Sequence, residues 1–167
     1  MASFIGTLSQ EESQSRPPAG SKPDYIFDDQ VFRRKPALLA EIQSRVPVAA
    51  TKAVSQACNN VKQQLIVGPM RSAAHWHFHQ DALNMLYVGT KRWWLLPPGK
   101  RITSNAHLSE QHPGGIDAVS ECTQRAGDLM YVPHLWSHAV ANIQATVALA
   151  TEFSDCDLAL AKASGWA

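Results

Sequence analysis

The spacing of apolar positions changes character once along this 167-residue chain. In "KPALLAEIQSRVP" (35–47), Leu38, Leu39, Ile42 and Val46 recur at helical spacing. Pro36 stands where a first helical turn tolerates it and Pro47 ends the run, which predicts one short amphipathic helix. From residue 62 the period becomes that of strands. "KQQLIVG", "AAHWHFH", "ALNMLYVG", "KRWWLLPP", "AVSECTQ", "DLMYVP", "SHAVANI" and "TVALATEFS" are short runs divided by Gly, Pro, Asn and Asp. Many short strands without intervening helices predict an antiparallel sandwich or barrel, not βαβ units. "HPGGIDA" (112–118) reads as an irregular connection, and "PDYIFDDQVF" (23–32) as an aromatic segment that packs onto a neighbouring surface. "QEESQSRPPAGSKP" (10–23) lacks apolar periodicity, so residues 1–22 are expected as a flexible segment and 23–167 as one domain.

The run "HWHFHQDALN" (75–84) carries the chemistry. Strict alternation would send His75, His77, His79 and Asp81 to one face of a strand, with Trp76, Phe78 and Gln80 on the other. Two histidines at i and i+2 lie about 6.6–6.8 Å apart along a strand and can reach one ion. Imidazole suits iron, zinc, copper and nickel. A third ligand must come from elsewhere in a closed sheet, and the candidate is His138 in "AGDLMYVPHLWSHAV". The bland alternative is a set of polar residues on an exposed strand. Three histidines in alternation, plus a remote one framed by Gly-Asp and Pro, favour metal. In "GTKRWWLLPPG" (89–99), Lys91 opens a strand whose aromatic and aliphatic continuation belongs to a core. A lysine turned into a barrel is costly unless it meets an anion; a solvated lysine at a strand end is the plainer case.

Composition removes several classes of function. Hydrophobic residues make up 45% and charged residues 17%, ordinary for a globular domain of this length. A net charge of +1 gives no basic field for nucleic acid. No apolar run approaches the ~18 residues that span a bilayer. "MASFIGTLSQEESQ" turns polar too early for a signal peptide. Cys58, Cys122 and Cys156 form no C-x-x-C pair, and the expectation is three free thiols in a reducing compartment, cytoplasm or nucleus by default.

Taken together, "LIVGPMRSAAHWHFHQDALNMLYVGTKRWWLLPPG" and "AGDLMYVPHLWSHAVANI" resemble the JmjC (cupin-like) domain of iron- and 2-oxoglutarate-dependent oxygenases. The shared blocks are Gly-Pro-x-x-Ser, an H-x-H or H-x-D/E pair, G-x-K-R-W ending in Leu-x-Pro-Pro, and G-D-x-x-x-x-P-x-x-W-x-H. They cover about residues 60 to 153. The resemblance implies a mainly β fold, the double-stranded β-helix or jelly roll. It also implies Fe(II), 2-oxoglutarate and O₂, and hydroxylation or N-demethylation of a protein or peptide side chain. Position by position it makes His77, His79 and His138 the metal ligands, and Lys91 the partner of the far carboxylate of 2-oxoglutarate.

Several departures keep rivals open. His79 stands where a carboxylate is usual, as in an H-x-H subset of the family. Ala74 replaces a hydroxyl residue and Ala73 a glycine. The chain begins where the family usually already has tens of residues, which reads as a truncated or minimal member. "HQD" also offers His79 and Asp81 as an alternative ligand pair. The twelve residues from His77 to Gly89 fit the H-x-H subset without a gap, and that favours His77 and His79. A non-catalytic cupin-like module holding Zn²⁺, or a three-histidine dioxygenase independent of 2-oxoglutarate, are the alternatives in function.

Overall fold

A computed structural model describes residues 24–44, 54, 56–106, 108 and 113–157. The flexible segment expected at 1–22 lies outside them, as does the end of the predicted helix at Val46 and Pro47. In chain order the elements are β1 (Ile26–Asp28), α1 (Val31–Arg34), α2 (Pro36–Gln43), β2 (Cys58–Gly68), β3 (Ala73–His77), β4 (Asp81–Val88), β5 (Thr90–Leu96), β6 (Ser120–Arg125), β7 (Leu129–Val132), β8 (Ser137–Asn142) and β9 (Thr146–Cys156). Single 3₁₀ turns at Pro98–Lys100 and Pro113–Gly115 sit in the long β5–β6 connection.

The strands form two antiparallel sheets, ordered β1-β2-β9-β4-β7 and β3-β8-β5-β6. Successive strands β2 to β9 alternate between the sheets, apart from β5 and β6, which pair with each other in the second sheet. Each sheet interleaves early strands with late ones (β2 beside β9, β3 beside β8), the winding of a double-stranded β-helix. The eight strand runs read from the sequence correspond to β2–β9. The segment 23–32, read only as aromatic packing, also contributes the short edge strand β1, which pairs Ile26 with Val67 and Asp28 with Leu65. Asp28 then caps the turn into α1 by accepting hydrogen bonds from the Gln30 and Val31 amides at 2.7 and 2.8 Å.

Alternation assigns the faces. On β5, Trp93 and Leu95 join Ala74, Ala82, Val132 and Val140 between the sheets. Trp94 and Leu96 point the other way and are still covered, with Trp76, Leu108 and Ala139, by the β5–β6 connection. A strand buried on both faces reads as the continuous run "WWLL" for that reason. On the other sheet, Ile66, Leu86, Ala148 and Ala150 face inward. Its outer face is covered by the helices, with Phe32, Ile42 and Leu149 in one cluster flanked by Leu38 and Leu39. The helical spacing therefore marked the buried stripe of α2 correctly.

One expectation is corrected. Cys58 and Cys156 are disulfide-bonded, and Cys122 is the free thiol. They are 98 residues apart in sequence, so spacing carried no signal, but antiparallel pairing of β2 with β9 sets them opposite each other. The cysteines therefore no longer argue for a reducing compartment.

A candidate metal centre at one end of the barrel

The single-face expectation for residues 75–81 is also corrected. Ala74 pairs with Val140 and His77 with His138, so three residues of β3 span two of β8. This one-residue bulge lets Ala74 and His77 both face inward although they are an odd number apart. His75 is left exposed and Trp76 turns to the outer cluster with no exposure at all. The strand stops at His77, and residues 78–80 form a turn into β4. Phe78, expected on the same strand face as Trp76, is 37% exposed and lies under the Arg101 guanidinium at 4.6 Å.

Bulge and turn together bring His77, His79 and His138 to one place, with one ligand atom of each within 4.8 Å of the others. Ring centroids of His77 and His79 lie 4.2 and 4.6 Å from that of His138. Asp81, the alternative ligand, is engaged elsewhere: its Oδ1 accepts from the Tyr131 hydroxyl at 2.6 Å and from the His134 amide at 3.0 Å.

The hydrogen bonds of the rings fix their chemistry. His77 Nδ1 lies 2.7 Å from the His75 carbonyl, His79 Nδ1 2.7 Å from the Gln80 carbonyl, and His138 Nδ1 3.1 Å from the Trp136 carbonyl. A carbonyl oxygen can only accept, so each Nδ1 carries a proton, and in the neutral ring Nε2 keeps its lone pair. Burial also favours the neutral form of two of the rings: desolvation, reinforced by the neighbouring imidazoles, lowers His138 well below the ordinary histidine value and lowers His77 as well. Three imidazoles, each oriented by a carbonyl on its far nitrogen, fit a divalent transition metal.

Paired positions on β5 and β8 lead away from this centre. Inward-facing pairs run from His138/Leu95 through Val140/Trp93 to Asn142/Lys91. An apolar layer thus separates the histidines from a buried polar cluster. Lys91 has no exposed surface; its Nζ donates to the Tyr25 hydroxyl and, at 3.3 Å, to Asn142 Oδ1. Asn142 Nδ2 donates to Ser72 Oγ at 2.7 Å, and Ser72 Oγ donates to the Pro69 carbonyl at 2.7 Å. Gly68 makes this packing possible, since a Cβ there would stand 2.5 Å from Asn142 Nδ2 and Ser72 Oγ and 2.6 Å from the Tyr25 ring. Gly-Pro-x-x-Ser therefore builds one wall of the Lys91 cluster. Desolvation pushes the Lys91 ammonium down to about 7 and raises the Tyr25 phenol, which stays a neutral hydroxyl.

The sequence reading reached Lys91 but missed its companions. Asn142 was legible, because period two from His138 passes through Val140 to Asn142 on one face. Tyr25 was not, since only the pairing of β1 with β2 carries it over the barrel interior. Asn84 was missed too. It is 5% exposed on the inward face of β4, between Ala82 and Leu86, with its amide oxygen unpaired.

A double-stranded β-helix with a histidine cluster at one end and a buried lysine toward the other defines a cupin-type domain with a candidate metal site. The chain belongs to the JmjC domain family, whose model matches residues 39–159. It is 31% identical over 159 residues to the lysine-specific demethylase JMJ21 of Arabidopsis thaliana, covering 78% of this chain and 17% of that protein. It is 31% identical over 157 residues to the bifunctional arginine demethylase and lysyl-hydroxylase psr-1 of Caenorhabditis elegans, covering 76% and 39%. With human JmjC domain-containing protein 8 it shares 33% identity over 88 residues, 48% of this chain and 33% of that one. The chain thus spans well under half the length of each of these relatives. Among solved structures, a cupin superfamily protein of Desulfitobacterium hafniense matches 58% of this chain and 70% of its own, at TM-score 0.41 and 13% identity.

Proposed function

We propose that the chain is the catalytic domain of an Fe(II)- and 2-oxoglutarate-dependent oxygenase that hydroxylates or demethylates a protein side chain. The observation that carries this reading is the set of three imidazoles whose Nδ1 atoms are all committed to backbone carbonyls. His77, His79 and His138 would hold the metal through Nε2. Fe(II) with 2-oxoglutarate and O₂ supplies the oxidising chemistry when bound. Lys91 and the Tyr25 hydroxyl would receive the far carboxylate of 2-oxoglutarate, charge-assisted donor and neutral donor side by side. The backbones of His138 and Asn142 are about 13 Å apart along β8, a gap that an extended lysine and a five-carbon dicarboxylate bridge together. Trp93, Leu95 and Val140 form the buried apolar layer between those two ends and would exclude water, which would strengthen the charge pairing. The unpaired Asn84 amide oxygen is a buried acceptor that a water accompanying the bound dicarboxylate could complete. Relatives named as lysine and arginine demethylases and as a lysyl-hydroxylase support a protein side chain as substrate.

A second reading has its own observation. The cluster contains no carboxylate, because Asp81 is held by Tyr131 and His134. A neutral donor set suits Zn²⁺ in a non-catalytic module. Metal analysis of the purified protein, then succinate formation from 2-oxoglutarate on adding Fe(II), separates the two. Succinate that depends on Lys91 and His79 supports the oxygenase. Bound zinc with no succinate supports the module, and O₂ uptake without demand for 2-oxoglutarate points to a three-histidine dioxygenase.

A further inference from the structure

The two turns that carry the ends of the histidine cluster are cross-linked through one side chain. His79 lies beyond the end of β3, so no strand pairing fixes it. Its carbonyl accepts from the Leu135 amide at 3.0 Å, in the turn 133–136 that leads into His138. That turn is conformationally demanding: Leu135 has φ +62, a region that an L side chain rarely adopts and holds only when its surroundings dictate it. The dictating contact is Asp81. Its Oδ1 takes the His134 amide at 3.0 Å, immediately before Leu135, and the Tyr131 hydroxyl at 2.6 Å from the preceding strand. Asp81 itself opens β4, two residues after His79.

We propose that Asp81 is a positioning residue that joins the turn bearing His79 to the turn entering His138, so that the two imidazoles meet one ion, and that it is not itself a ligand. This rests on the three-histidine centre proposed above. Both hydrogen bonds use the oxygen as an acceptor and neither needs its charge. An amide in place of the carboxylate keeps the acceptor; a methyl group removes it. A ligand role makes the opposite demand, because an asparagine amide is a poor substitute for a metal-bound carboxylate.

The test is Co(II) affinity of the apo chain by competition with a chelator, with the visible spectrum of the bound ion and the thermal midpoint of the apo protein read alongside. Asp81→Ala is expected to weaken Co(II) binding about 10–100-fold and alter the spectrum, while Asp81→Asn stays within about threefold of wild type with the spectrum kept. Tyr131→Phe removes one donor and leaves the other, and gives a weakening of about 3–10-fold; it carries the test if Asp81→Ala fails to fold. Wild-type affinity in Asp81→Ala or Tyr131→Phe at a lowered midpoint would mean a purely structural residue and overturns the proposal. Asp81→Asn as weak as Asp81→Ala makes the carboxylate a ligand and overturns it equally. His79→Ala is the control on the underlying reading. If it binds Co(II) like wild type while Asp81→Ala does not, the three-histidine centre fails and the brace around it falls too; a wild-type chain that binds no Co(II) also overturns both.

Discussion

Replacing Lys91 by Met removes a buried ammonium beside Tyr25 and Asn142 and keeps most of the stem. Burial lowers Lys91 from 10.5 to about 7. A shift of that size corresponds to about 5 kcal/mol of differential cost for the charged form. The sign follows from proton binding. Between pH 7 and 10.5 the unfolded chain holds the Lys91 proton and the folded chain does not, so stability rises with pH across that window. Below the folded value both states are protonated and the full penalty applies. From pH 7 to pH 9 the lysine alone adds about 2 kcal/mol to the stability of the apo protein. Urea unfolding of wild type and Lys91→Met at pH 6, 7, 8 and 9 reads this directly. Wild type should gain stability over the upper half of the range, and the variant should be flat there and more stable than wild type at pH 6. A bound dicarboxylate reverses the balance by giving the ammonium a partner. 2-Oxoglutarate should therefore stabilise wild type more at pH 6.5 than at pH 9, and should not stabilise the variant through this contact. Parallel pH profiles for the two proteins would refute the claim that burial of the Lys91 charge governs this end of the barrel.

Other expectations follow from other parts of the fold. His77 and His138 are held neutral below their ordinary value of 6.5, so on acidification the unfolded chain takes up protons that the fold refuses. The apo thermal midpoint should drop as pH falls from 7 to 5.5, and a bound metal should be released over the same interval; a flat profile would contradict the neutral assignment. Gly68→Ala forces a Cβ to within 2.5 Å of Ser72 and Asn142, and should cost about 1–3 kcal/mol in chemical unfolding while weakening 2-oxoglutarate binding. Equal stability would show that the Lys91 cluster has slack. Cys58→Ser opens a bond that closes a span of 98 residues, and the loss should be about 2–5 kcal/mol, matched by adding reductant to wild type and absent when reductant is added to the variant.

Strands β2–β9 and the helix at 36–43 were legible because they depend on local periodicity. Burial cost alone favoured a solvated Lys91, and its inward turn followed only from the resemblance. The sequence blocks also named His77, His79 and His138, the residues that the fold gathers. Parity alone would have kept His75 and Asp81 with them. Only the pairing of β3 with β8 reveals the bulge that exposes His75, since a bulge is a mismatch between two strands and leaves no mark in either one. Asp81 likewise satisfies the rules of a ligand in one dimension. Its hydrogen bonds to Tyr131 and the His134 amide reach about fifty residues along the chain, and only tertiary structure brings those donors to it. The disulfide and the placement of Tyr25 over Lys91 were hidden for the same reason. Each depends on antiparallel register across the first sheet, Cys58 opposite Cys156 and β1 on the edge of β2, and register is set by the closing of the whole barrel.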